Sequence, residues 1–107
     1  MSHDDPKDKR RFPRLGRPFD GTWRGLSGHS PCRLTDLSMG GCYVQSIASP
    51  RQGEETTVTV VFGDGHTMSF VGNVVYTEPN MGFAVEFKPM TRNQVQALGV
   101  LIDRQPL

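Results

Sequence analysis

The chain has little that would commit it to chemistry of its own. Its only cysteines are Cys32 and Cys42. With a turn near Gly40 joining their strands, Cys42 pairs near Leu37 or Leu34 and Cys32 lies further along, so the two do not meet the narrow geometry of a disulfide. Both are read as reduced, partly buried thiols of a cytoplasmic protein. The histidines His3, His29 and His66 are scattered, with no neighbours at metal-ligand spacing. Ser38 has no paired His and Asp for nucleophilic catalysis. Glu54 and Glu55 sit before a strand, Asp64 and Glu78 fall in turns, and no acid–base pair emerges. An enzyme, a metal and a cofactor are therefore not expected. No run of about 18 apolar residues is present, so no membrane-spanning helix is expected. The charged N-terminus without an apolar stretch is not a secretory signal. A large charge of one sign is missing too: the net charge is +1, which argues against a surface-wide nucleic-acid binder, so no DNA partner is expected. Aromatics amount to Trp23, Tyr43, Tyr76 and six phenylalanines. Most are needed inside, leaving few to stack single-stranded bases.

What is present points to β structure. The 107 residues suit one domain, and 36% hydrophobic content suits a modest core. Twelve glycines and eight prolines imply short elements and frequent turns. Strands are expected from Phe19 to Leu26, with Trp23 as a core anchor, and, after a turn over Ser27–Pro31, from Cys32 to Ser38. A third strand runs from Gly41 to Ile47, and 49–53 is a loop. Thr56 to Phe62 places Val58, Val60 and Phe62 on one face. Gly63-Asp64-Gly65 signals a hairpin. Thr67 to Tyr76 follows, with Met68, Phe70, Val74 and Tyr76 sharing a face and Gly72 marking a bulge or a close backbone approach. After a turn at Glu78-Pro79-Asn80, Met81 to Phe87 alternates Phe83, Val85 and Phe87. The period then changes. Thr91 and Gln94 form a capping box, and Val95, Leu98, Leu101 and Ile102 recur at helical spacing, predicting a helix over Arg92–Asp103. The expected class is all-β with one terminal helix: a six-stranded antiparallel β-barrel plugged or flanked by a C-terminal α-helix. Residues 1–8 are read as a disordered tail. Residues 9–107 are read as a single domain made of a mobile basic arm (9–17), the barrel (18–88) and the helix (91–104).

Two segments carry chemistry. Half of the twelve basic residues precede residue 18, and from Lys9 to Arg17 the chain carries cationic but no acidic groups. Pro13 and Pro18 keep this arm from becoming helical, and Phe12 and Leu15 can pin it to the body. Guanidinium groups at Arg10 and Arg14 can chelate phosphate and stack on or hydrogen-bond to guanine. The second segment is Asp36-Leu37-Ser38-Met39-Gly40-Gly41. In an extended chain Asp36 and Ser38 project to one face, and the glycines allow close approach of a ligand to the backbone. A carboxylate there matches the guanine edge, which offers two adjacent donors. The spacing alone equally describes a hairpin corner capped by Asp and Ser side chains.

Arg10-x-x-x-Arg14 followed by Asp36-x-Ser38-x-x-Gly41, with one strand between, resembles the PilZ family, whose signature is an RxxxR arm and a D/NxSxxG turn. Gly72-Asn73-Val74-Val75-Tyr76 and Gly82-Phe83-Ala84-Val85-Glu86-Phe87 look like that family's closing strands, so the resemblance runs from Lys9 to about Arg104. It implies a six-stranded barrel that binds the bacterial second messenger cyclic di-GMP. It also implies that Arg10 and Arg14 hold phosphates and guanines, that Asp36 accepts from a guanine edge, that Ser38 adds a polar contact, and that Gly41 keeps the surface open. Lys9, Arg11, Gly40 and Tyr76 are accessory candidates, Tyr76 as a flat wall beside a base. Ligand binding would order the arm and signal to an effector protein. Two alternatives stand beside this reading: a PilZ-like protein–protein adaptor without nucleotide binding, and a small barrel that binds single-stranded nucleic acid.

Overall fold

The structure, a computed structural model, describes residues 18–104, with side chains up to Leu101. The expected tail over 1–8 and arm over 9–17 lie outside the described residues. Six strands are followed by one helix: β1 (Phe19–Gly25), β2 (Gly28–Thr35), β3 (Gly41–Gln45), β4 (Glu55–Val61), β5 (Thr67–Glu78), β6 (Gly82–Phe87) and α1 (Arg92–Arg104). The strands pair antiparallel in the closed order β1-β2-β3-β6-β5-β4, so each of the six described strands has a paired neighbour on both sides over at least part of its length. One end of the barrel carries the start of β1, the 36–40 turn, the β4–β5 loop and α1. The other carries the β1–β2 turn, the long 46–54 loop and the β5–β6 turn.

Alternation of apolar residues builds the interior. Phe19, Trp23, Leu34, Val44, Val58, Val60, Phe70, Val74, Phe83 and Val85 all turn inward and are buried. Trp23 packs edge-on against Phe83 at 5.4 Å, and its indole N–H donates to Ser30 Oγ at 2.9 Å, so the buried donor is satisfied. Phe70 stacks on Phe87 with centroids 4.8 Å apart. The helix opens on the expected capping box. Gln94 N–H donates to Thr91 Oγ1 at 3.1 Å, and Thr91 N–H donates to Gln94 Oε1 at 3.0 Å. Leu98 and Leu101 enter the barrel core, whereas Val95, expected on the same buried stripe, is 42% exposed.

The strand boundaries differ from expectation where a local rule met tertiary pairing. The turn expected at 27–31 is shorter: Gly25 pairs with Gly28, and β2 runs on through Pro31 opposite Thr22. Pro31 is tolerated because β3 pairs only with residues 33–35 of β2, so its missing N–H breaks no rung on that side. β2 also ends at Thr35 rather than Ser38, because Asp36 takes a left-handed φ of 55°. Gly72 marks a close approach: a Cβ there would stand 2.5 Å from Glu86 O. The bulge lies further on, between Val74 and Tyr76. The extra residue reverses the alternation, and Tyr76, expected to share the inward face of Val74, is 47% exposed.

Candidate functional site

The site is built on the turn that carries the chain from β2 to β3. Positive φ is uncommon outside glycine, and Asp and Asn are among the few residues that adopt it readily. The 55° φ of Asp36 therefore gives a conformational reason for an Asp at this position, independent of any ligand. It also ends the strand's alternation. Asp36 is exposed, while Leu37 enters the core and Ser38 is buried to 6% exposure. The side-by-side projection of Asp36 and Ser38 expected of an extended chain is thus absent. Ser38 instead holds the turn together. Its N–H donates to Gly41 O at 3.0 Å, and its hydroxyl accepts the Gly40 N–H at 3.1 Å. The Gly40 carbonyl in turn accepts the Phe87 N–H at 2.9 Å, tying the turn to the end of β6.

Gly41 serves the barrel first. A Cβ at this position would stand 2.1 Å from the Val85 carbonyl oxygen across the β3–β6 rung. Met39, between the two ends of the turn, packs on α1, where a Cβ at Gly99 would lie 3.3 Å from its terminal methyl. The six-residue turn therefore offers Asp36 to solvent while Leu37 and Met39 seat it on core and helix.

Arg10, Arg14, Lys9 and Arg11 lie outside the described residues. Their point of attachment is defined, however. Phe19 pairs with Leu34, two residues before Asp36. Arg14 precedes Phe19 by five residues and Arg10 by nine, so a fully extended chain allows them at most about 18 Å and about 32 Å from that point. The arm is rooted at the carboxylate-bearing corner of the barrel.

Tyr76 and the turn share an outer wall. Thr35 pairs with Tyr43, Tyr43 with Ala84 and Ala84 with Tyr76. The rings of Tyr43 and Tyr76 are 6.5 Å apart, tilted at 45° across the small Ala84. The Tyr43 hydroxyl donates to Glu78 Oε1. Desolvation, together with that carboxylate partner, pushes the Tyr43 hydroxyl up to about 12, so it stays protonated. Tyr43 was missing from the expected site residues, although the inward positions of Cys42 and Val44 on either side of it are the signal that would have found it. Cys32 and Cys42 are both free thiols. Burial raises Cys32 to about 11 and raises Cys42 further still. Among the described residues, no group of His, Cys, Asp and Glu side chains could hold a metal ion, and no helix is long and apolar enough to cross a membrane.

A closed six-stranded antiparallel barrel, with a helix against the end that holds a glycine-rich β2–β3 turn, defines the class as a small closed-barrel β domain with one C-terminal helix. A family model for the PilZ domain matches residues 8–104, from the arm through α1. The chain belongs to the PilZ domain family, a family of cyclic di-GMP receptors whose domains bind rather than catalyse. Among solved structures, the PilZ domain of CeSA from a cellulose-synthesizing bacterium is similar in fold. It is 15% identical, with a TM-score of 0.64, over 84% of this chain and 95% of that one. No curated protein sequence matches the chain.

Proposed function

We propose that this chain binds cyclic di-GMP between the Asp36–Gly41 turn and the arm carrying Arg10 and Arg14. The observation that carries the reading is the register Phe19↔Leu34, which roots a cationic arm within reach of an exposed carboxylate. The division of labour follows from charge. Asp36 accepts from the N1–H and exocyclic amine of one guanine, while the arginines, with Lys9 and Arg11 beside them, meet the phosphates and the base faces. Ser38 and Gly40 act through the turn, by fixing the backbone that presents Asp36. Tyr76, with Tyr43 beside it, offers an aromatic surface on the same wall.

A free arm of several arginines repels itself. A dianionic ligand neutralises that charge and draws the arm onto the barrel, and the ordered arm presents a new surface to an effector protein. Calorimetric titration with cyclic di-GMP at low salt tests this. Micromolar binding that weakens as salt rises, is lost in Arg14→Ala and is not matched by GTP or a short oligonucleotide is the expected result. No heat in the micromolar range would sink the dinucleotide reading in favour of an adaptor role. Preference for the oligonucleotide would move the protein to single-stranded nucleic acid.

A further inference from the structure

The barrel wall made by β2, β1, β4 and β5 carries chemistry that the dinucleotide reading does not use. β1 and β4 lie across the ring from β6 and β3. Register places Thr22 beside Thr59, and Thr59 beside Ser69; one row over, His29, Arg24 and Thr57 stand side by side. A depression of about 390 Å³ lies over these two rows, within the range of small-molecule sites, about 300–1,000 Å³. Five hydroxyls (Thr22, Ser30, Thr57, Thr59 and Ser69), a guanidinium and an imidazole line it, and among the described residues no carboxylate does. The Thr59 and Ser69 hydroxyls share a hydrogen bond of 2.7 Å. Whichever of them accepts keeps its own proton for a ligand.

Arg24 faces His29 across the β1–β2 pair, and among the described residues neither forms an ion pair with a carboxylate. An anion seated here would give the Arg24 guanidinium the counter-charge it lacks among the described residues. Arginine supplies the planar fork that fits an oxyanion in bidentate fashion, and the adjoining Thr57, Thr59 and Thr22 hydroxyls suit a ligand that itself carries hydroxyls. We propose that this depression binds a phosphate monoester of a small polyhydroxylated molecule, of the sugar-phosphate class, at a site separate from the Asp36–Gly41 turn. Arg24 takes the phosphate, and the hydroxyl row meets the sugar.

The test is a set of amide-resolved NMR titrations of the full chain at constant ionic strength, with glucose 6-phosphate, inorganic phosphate, glucose and cyclic di-GMP. The expected result is saturable shifts at Thr22, Arg24, Thr57 and Thr59 with glucose 6-phosphate, weaker ones at the same amides with phosphate, and none with glucose. Arg24→Gln, at an exposed position, should weaken the sugar phosphate at least ten-fold, roughly the value of a charge-assisted hydrogen bond. Its thermal midpoint and its cyclic di-GMP titration should match those of the wild type. Shifts scattered over the surface, unchanged affinity in Arg24→Gln, or equal binding of glucose would overturn the oxyanion assignment. Equal affinity for free phosphate would overturn the sugar half. Cyclic di-GMP shifting these same amides would overturn the separation of the two sites.

Discussion

Asp36 combines two properties that substitution can separate. Its backbone sits at φ 55°, and its carboxylate is exposed at the barrel corner where the arm begins. The left-handed conformation costs an ordinary L-residue about 1–2 kcal/mol, glycine almost nothing, and Asp or Asn an intermediate amount. Three variants then give three patterns. Asp36→Asn keeps the backbone preference and one acceptor oxygen but loses charge assistance, which roughly halves the strength of such a bond. Its thermal midpoint should stay near wild type, with cyclic di-GMP affinity reduced about five-fold. Asp36→Gly frees the backbone and removes both acceptors. Losing charged-group hydrogen bonds worth about 1.5–3 kcal/mol weakens binding about ten- to 150-fold. Asp36→Ala matches the glycine variant in binding but is about 1 kcal/mol less stable, a fall of about 4–8 °C in midpoint for a domain of this size. Thermal melts and calorimetry on the same samples check both axes. Wild-type affinity in Asp36→Gly would remove the carboxylate from the site. Equal midpoints for the alanine and glycine variants would refute the conformational argument. The same reasoning accounts for an Asp-or-Asn alternative at this signature position, since those two residues share the left-handed tolerance.

Other positions separate structural from binding roles. Gly41→Ala drives a Cβ into the Val85 carbonyl oxygen and should cost about 3 kcal/mol, the upper end of ordinary overpacking. Urea unfolding without ligand measures this, and an unchanged midpoint would show that β3 and β6 can separate freely. Thr91→Ala removes the acceptor of the Gln94 N–H and should cost about 1 kcal/mol, read as increased amide exchange in the first turn of α1. Burial holds the Cys32 thiol at about 11, above its ordinary value of 9.0. A thiol kept neutral in the fold but ionised in the unfolded chain stabilises fully below pH 9, and that stabilisation is lost as pH rises toward about 11. Both cysteines should therefore react slowly with a thiol reagent at pH 8 in the native protein and quickly in urea. Fast native modification would contradict their burial.

Much of the architecture was legible along the chain because burial alternates with period two in a strand and near 3.6 in a helix. Val58, Val60 and Phe62 were readable as one inward face, and Thr91 with Gln94 as the start of a helix, since each pattern is complete within a few residues. The spacings Arg10-x-x-x-Arg14 and Asp36-x-Ser38-x-x-Gly41 are equally local features of the chain. Contacts between distant segments could not be read in this way. Whether Pro31 ended a strand depended on how far β3 reached along β2. The face taken by Tyr76 depended on a bulge set by pairing with β6. The need for glycine at 41 depended on the Val85 carbonyl more than forty residues away. The Asp36–Gly41 turn shows both sides. Its residue types announce a corner and a ligand surface. The separation of Asp36 into solvent from Ser38 into the turn's own hydrogen bonds arises from one backbone angle, and the closing of the barrel around Leu37 and Met39 holds that angle in place.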